Sequence, residues 1–578
     1  MATTTTWTLA DPSSGKRVFY RPLGDVETSY YWDILYDGTA DIAMNIELCD
    51  LQGTPPTTIP RVVRTWASIK RRFPLLVAET QNLGNGVRFV VREERIGTLV
   101  PEEVTYRDIG SRENANAFAS AVLVGPPPLS TDLLARMYVL RRTDNSHRFH
   151  VIILIAHCII DSCSTSTIMR TFCDTLASSI EHPVAPLEDR LAMCLPLESR
   201  VRYGPYGRLN DAQWRWKRAI GFVLYALRSR SLQGGHTLPA KLTTTTFVTP
   251  ALSGILAAYL SPEISKVIMT NCRRHGITFN NAYFVLSQVA MTRVLCRRYL
   301  RGEIGEKEWE YRKRQPMHIL GPLDLRSYLD QKWYQSGGAG EVGLNVGYFH
   351  CILPFMPLGS SRELRHLGSV DGAPPFPSLL SFKRFVYRAK LLKIQTEKFC
   401  RHPRFLDIVL ASHSLGAKKT REVALEWINR NRIQSRESLP IEWVDDGRWI
   451  PTQIGASVGN VDPFVPLEYP LPSKHPLSPI SVDKTPSRAG YSVHMPPMSP
   501  DHDMHAPAIR IAYWRTFLHA RSGELYIGAL TSRQMLQYHI FYDRNVFSDD
   551  VVAEWLDEIQ AATIWYLGRG EERVHSKL

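Results

Sequence analysis

Cysteine is scarce in this chain: nine residues are scattered over 578, and none are paired as C-x-x-C. An odd, irregular set excludes a disulfide scaffold and a structural zinc site as organising devices. Long apolar runs are absent too. The longest membrane-like stretch, residues 219–227, is far too short to cross a bilayer. The N-terminal Met-Ala-Thr-Thr-Thr-Thr-Trp has no basic segment leading into an apolar one, so no secretory signal is expected. A reducing, cytoplasmic setting is the resulting expectation. There is no G-x-S-x-G elbow, no Walker A sequence and no G-x-G-x-x-G fingerprint. Those gaps exclude the common serine hydrolase, nucleoside triphosphate and dinucleotide readings. No internal repeat stands out.

The charge is less neutral. Lys and Arg exceed Asp and Glu by 69 to 56, a formal net charge of +13. Basic clusters such as Lys70-Arg71-Arg72 and Arg297-Arg298 are short and not interleaved with aromatics, so no nucleic-acid partner is expected. A hydrophobic fraction of 44% over this length exceeds what one core usually holds. The expectation is two domains, residues 1–233 and 243–578, joined by a linker at 234–242. A proline-dense insertion interrupts the second near 463–507.

Periodicity predicts the elements. Val62, Val63, Trp66, Ile69 and Phe73 recur at helical spacing over residues 59–72, with Pro60 in the first turn and Pro74 beyond the end. Residues 75–79 and 87–91 read as strands around an Asn-Gly-rich turn, and 111–123 as loop or irregular helix. Helices are predicted at 214–228, from Ser261-Pro262-Glu263, from Thr278 onward, at 378–401 and at 546–563. Residues 421–443 read as the end of a mixed region. Strands are predicted within 321–329 and 342–355. Two more, 508–519 and 525–530, are joined by the turn Arg521-Ser522-Gly523.

The informative segment is Val-Ile-Ile-Leu-Ile-Ala-His-Cys-Ile-Ile-Asp-Ser, residues 151–162. Residues 150–156 are apolar at nearly every position, as in a strand buried on both faces. The period then changes: Ile168, Phe172, Leu176 and Ile180 fit a helix. His157 and Asp161 therefore fall on a strand-to-helix crossover. Buried polar groups need partners or a cavity. A neutral histidine with an ordinary pKa of about 6.5 is a ready general base. Asp161 either orients the imidazole or pins the turn. Two candidate ligands are too few for a metal.

His157-Cys-Ile-Ile-Asp161 resembles the H-x-x-x-D motif of the coenzyme A-dependent acyltransferase superfamily, which includes BAHD acyltransferases and condensation domains. The segments Tyr20-Arg21-Pro22-Leu23-Gly24 and Tyr36-Asp37-Gly38, and the overall length, are most similar to fungal trichothecene 15-O-acetyltransferase-type enzymes. Leu323-Asp324-Leu325-Arg326 resembles the family's D-x-R element. Gly343-Leu344-Asn345-Val346-Gly347 and the stretch from Gly276 to Ala282 resemble two further family segments. Three departures stand out. Ala156 replaces the first histidine of condensation domains, Ser162 replaces a common glycine, and no D-F-G-W-G motif is present.

The resemblance implies an α/β fold of two chloramphenicol-acetyltransferase-like domains, a pseudo-symmetric pair around a central channel. It implies an O-acetyltransferase with no permanently bound cofactor and acetyl-CoA as cosubstrate. The acceptor would be a hydroxyl of a secondary metabolite, such as a trichothecene-like sesquiterpene. His157 would be the catalytic base, and Arg326 would hold Asp161 by a salt bridge. Thr278 and Asn345 are candidates for the channel or oxyanion region. No residue for binding coenzyme A is chosen, no metal is expected, and a monomer is. Three alternatives stay open: condensation from a carrier-protein thioester, a catalytically silent binding module, and a hydrolase that uses water.

Overall fold

The computed structural model describes residues 6–10, 16–53, 59–178, 184–203, 209–359, 372–432, 438–441, 449–472, 475–477 and 506–569. Most of the proline-dense stretch at 463–507 therefore lies outside the described residues, as do Ile180 and the end of the 421–443 region.

The fold is α/β, built on two six-stranded sheets and one four-stranded sheet. In the first large sheet, strand Arg148–Ile155 lies between Ile42–Asp50 and Ala135–Arg142. It is buried at every position after Arg148, which is why its sequence shows no polar alternation. Helix Arg112–Val124 packs on strand Ile42–Asp50, and helices Ile59–Arg72 and Ser162–Ala177 pack on each other.

The second large sheet runs Val346–Leu353, Met317–Asp324, Gln453–Asn460, Leu525–Ser532, Met535–Asp543 and Ser253–Tyr259. Against it lies helix Phe279–Leu300, buried around almost its whole circumference. Arg293 and Arg297 tie that helix to helix Asp549–Leu567 through Glu558, at 2.7 and 2.6 Å.

One connection adds to the sequence reading. Strands Ile509–Leu518 and Leu525–Ser532 do flank the Arg521-Ser522-Gly523 turn, but they do not pair with each other. The first joins the first large sheet beside Ile42–Asp50, and the second joins the other large sheet. The turn is a seam between sheets, because strand Ile42–Asp50 has an edge that only a distant strand fills. The seam is anchored on helix Asp25–Leu35: Arg521 Nη2 meets Asp33 Oδ2 at 2.5 Å, and Tyr36 Oη, just past the helix, meets Ser522 Oγ at 2.8 Å.

Three local corrections follow. Residues 75–79 are not a strand: Pro74–Val77 forms a fully buried 3-10 turn, and the strand is Glu79–Asn82. Residues 111–123 form a regular helix capped by Ser111, whose hydroxyl accepts from Asn114 N. The mixed region conceals a 28-residue helix, Phe405–Arg432.

Candidate active site

His157 and Asp161 leave the buried strand in opposite circumstances. A single 3-10 turn, His157–Ile159, follows the strand, and Asp161 then caps helix Ser162–Ala177. Aspartate is a favoured N-cap because its carboxylate satisfies free amide groups of the first turn. Here Asp161 Oδ1 accepts from Ser164 N at 3.0 Å and from Ser164 Oγ at 2.9 Å.

The same carboxylate receives Arg326 in a fork: Nη1 to Oδ2 at 2.9 Å and Nη2 to Oδ1 at 3.0 Å. Asn345 N donates to Oδ2 at 2.9 Å. Arg326 is 2% exposed and Asp161 6%. Nη1 also reaches Asp324 Oδ1 at 2.9 Å, and Nη2 lies 3.0 Å from both Ser164 Oγ and the Gly343 carbonyl, while the buried Nε has no partner among the described residues. Burial alone would raise the Asp161 pKa, but the Arg326 charge and these donors hold it below its usual value. A bidentate arginine is suited to a desolvated carboxylate. This bridge joins the end of one large sheet's strand to the other's, since Asp324 closes strand Met317–Asp324.

His157 is half-buried and has few partners. Its backbone N–H donates to Asp41 Oδ1 at 3.4 Å. Its ring stacks on Tyr30, with centroids 4.0 Å apart and planes inclined by 15°. The buried Nδ1 has no hydrogen-bond partner. Burial pushes the imidazole down to about 4, and the Arg521 charge adds to this. The neighbouring backbone at His157 and Ile160 and the Asp161 charge pull the other way. The ring is therefore neutral at physiological pH.

Tyr30 is positioned by an internal brace. Arg21, fully buried, donates to both Glu27 carboxylate oxygens at 2.7 Å, and Glu27 Oε2 accepts from Gly24 N at 2.8 Å. That fixes the start of helix Asp25–Leu35, which carries Tyr30. Tyr30 Oη hydrogen-bonds Tyr348 Oη at 2.6 Å, and the Arg521 guanidinium lies 4.6 Å from the Tyr30 ring centre.

Two cavities meet at this group, for Tyr30, Tyr348 and Arg521 line both. The inner one, about 220 Å³, contains His157 and is walled by apolar side chains such as Met44, Met169, Val346, Ile454, Trp514 and Phe541. The outer one, about 1000 Å³, is lined by Arg228, Lys398 and Lys419, with His350, His402 and His413. His413 is buried, and neither of its ring nitrogens has a partner. The arrangement offers a neutral base within the apolar cavity, stacked on Tyr30, which also lines the basic one.

Of the residues singled out from sequence, His157, Asp161 and Arg326 come together. Thr278 and Asn345 line neither cavity. Thr278 caps helix Phe279–Leu300, accepting from Asn281 N at 3.3 Å. Asn345 is wholly buried behind Asp161, and its side-chain oxygen accepts from Arg200. The Thr278 hydroxyl and the Asn345 amide oxygen are committed to local structure, while Asn345 Nδ2 is buried without a partner among the described residues. Sequence reasoning missed Tyr30, Tyr348 and Arg521. The signal was faint: Tyr30 lies just past the Tyr20–Gly24 segment, and Arg521 is the one charge in a short turn.

No family model matches the sequence, and no curated protein matches it. Solved structures do. Trichothecene 15-O-acetyltransferase from Fusarium sporotrichioides aligns over 97% of this chain and 98% of its own, with a TM-score of 0.64 and 9% identity. The first condensation domain of the calcium-dependent antibiotic synthetase, in complex with a substrate analogue, gives 0.54 at 11% identity, covering 95% and 96%. The EpoB cyclization-docking bidomain from Sorangium cellulosum gives 0.54 at 13% identity, covering 96% and 86%. At these identities the likeness is one of architecture: the chain shares the fold of these solved structures.

Proposed function

We propose that this protein is an O-acetyltransferase that moves an acetyl group from acetyl-CoA to a hydroxyl of a secondary metabolite, with His157 as general base. The carrying observation is a neutral His157 in the apolar cavity, stacked on the Tyr30 ring that also lines the basic cavity, on a turn held by the Asp161–Arg326 bridge. The outer cavity suits the donor, because Arg228, Lys398 and Lys419 can face its phosphates. The inner cavity suits a compact apolar acceptor such as a trichothecene-like sesquiterpene.

His157 accepts the acceptor's hydroxyl proton as the oxygen attacks the thioester carbonyl. The tetrahedral intermediate collapses, a C–O bond replaces the C–S bond, and the thiolate leaves with the proton that His157 held. Asp161 takes no part in proton transfer: its oxygens are filled by Arg326, Ser164 and Asn345, so it serves the turn. The protein works as a monomer, without a resident metal or cofactor, in a reducing cytoplasm where its nine free cysteines persist.

The test is an acylation assay with acetyl-CoA and a panel of hydroxylated terpenoids. Ester formed with release of free thiol supports the reading. Transfer only from an acyl-loaded carrier protein would replace it with a condensation activity. Thioester loss without ester would replace it with hydrolysis, and neither product with any donor would point to a silent module.

A further inference from the structure

Helix Asp211–Arg230 is apolar on two sides: Trp214, Leu224 and Tyr225 pack against the core, and a second apolar side faces away from the protein. At ~100° per residue, Ala212, Trp216, Ala219, Val223, Ala226 and Leu227 fall on one side. Trp216 is 68% exposed, Val223 59% and Leu227 58%. The orientation is fixed by packing: Gly221, on the opposite side, lies so close to helix Phe405–Arg432 that a Cβ there would stand 2.3 Å from the Asp407 carbonyl oxygen. An ordinary surface helix has a single apolar side, turned inward, and a polar outer side. A continuous exposed apolar stripe marks a surface that something covers.

The charge around the stripe is of one sign. The helix has five basic residues and a single acid, Asp211, which is paired with Arg202. Arg215 and Arg230 are exposed beside the apolar side chains. Arg228 lies 4.5 Å from the ring centre of Phe399, which brings the C-terminal end of helix Phe382–Cys400 to the end of this helix. That end adds Lys398, which is exposed.

We propose that this face docks on an anionic lipid surface. The helix lies in the plane of the headgroups, with Trp216, Val223 and Leu227 below the phosphates and the arginines level with them. A convex apolar ridge flanked by cations matches that layered environment, and a tryptophan is suited to its boundary. The helix rests on the bilayer rather than entering it, since no helix among the described residues is long and apolar enough to cross. The proposal stands apart from the reaction proposed above. The two would meet in one respect: Tyr225, Arg228, Ser229, Ser231 and Leu232, at the end of this helix, line the outer cavity. Docking would set that opening at the interface, where apolar molecules partition.

The test is co-sedimentation of the full chain with vesicles of phosphatidylcholine alone and of phosphatidylcholine mixed with phosphatidylserine. The wild type is expected to bind the mixed vesicles about tenfold more strongly, and less so as salt rises. A variant carrying Trp216→Ser, Val223→Ser and Leu227→Ser should lose that binding while keeping its melting temperature, because all three side chains are exposed. No sedimentation with mixed vesicles at low salt overturns the proposal, as does equal binding by the triple variant. A dimer that the triple substitution converts to monomer, with no vesicle binding, would also overturn it and assign the face to a second copy of the chain.

Discussion

Four residues apart in sequence, His157 and Asp161 occupy opposite electrostatic settings. Asp161 is saturated: Ser164, Arg326 and Asn345 supply donors to both oxygens. His157 has a stacked ring, a long backbone contact and a buried, unpartnered Nδ1, and the residue lines a cavity. The contrast teaches which residue serves structure and which is left free for chemistry. A carboxylate with every lone pair occupied cannot exchange protons cheaply, whereas a neutral imidazole beside empty space can.

The contrast is broken most directly at His157. His157→Ala should lower acyl transfer by about 10²–10⁴-fold and leave the melting temperature nearly unchanged. Wild-type turnover in that variant would end the general-base assignment. Arg326→Ala should act on the opposite side. It strands a buried carboxylate, with an expected stability loss of about 3–5 kcal/mol and a fall in activity as the turn loosens. Unchanged denaturation midpoints and kinetics would show that the bridge holds nothing.

Acid sharpens the comparison further. The folded His157 pKa, about 4, lies below the unfolded value of about 6.5. Its contribution to stability is therefore fully present above pH 6.5 and is lost as the pH falls through about 4. His150 and His350, also pushed down to about 4 by burial, act in the same direction. Stability should fall between pH 6.5 and 4, and the acid limb of kcat/KM should lie near 4 rather than 6.5. Arg521→Gln should move that limb upward, since the Arg521 charge helps keep the imidazole neutral. A limb at 6.5 in the wild type would contradict the buried setting of the ring.

The smallest effect concerns Thr278. As a helix cap, its replacement by Ala should cost about 1 kcal/mol and leave the rate of transfer unchanged. A collapse of kcat with an intact fold would return Thr278 to the reaction.

Much of the local architecture was legible. Helix Ile59–Arg72 follows directly from its apolar spacing and flanking prolines, and the buried strand before His157 from its unbroken apolar run. Helix Phe405–Arg432 was not legible, because it packs against both helix Asp25–Leu35 and helix Asp211–Arg230. An element with neighbours on two sides has no single apolar stripe. Tyr30, Tyr348 and Arg521 were hidden for another reason: each comes from a different element, and no spacing within one segment encodes a stack or hydrogen bond between segments.

By itself the sequence determined the motif, its placement on a strand-to-helix crossover, and the resemblance that points to Arg326. These are short-range patterns, in which apolar periodicity and residue type carry the information. Only the tertiary structure decided that Ile509–Leu518 pairs beside Ile42–Asp50 in the first large sheet, that Arg521 sits over Tyr30, and that His157 lines a cavity that meets a second one at Tyr30, Tyr348 and Arg521. Those outcomes depend on which distant surfaces bury each other, and burial is a property of the assembled chain.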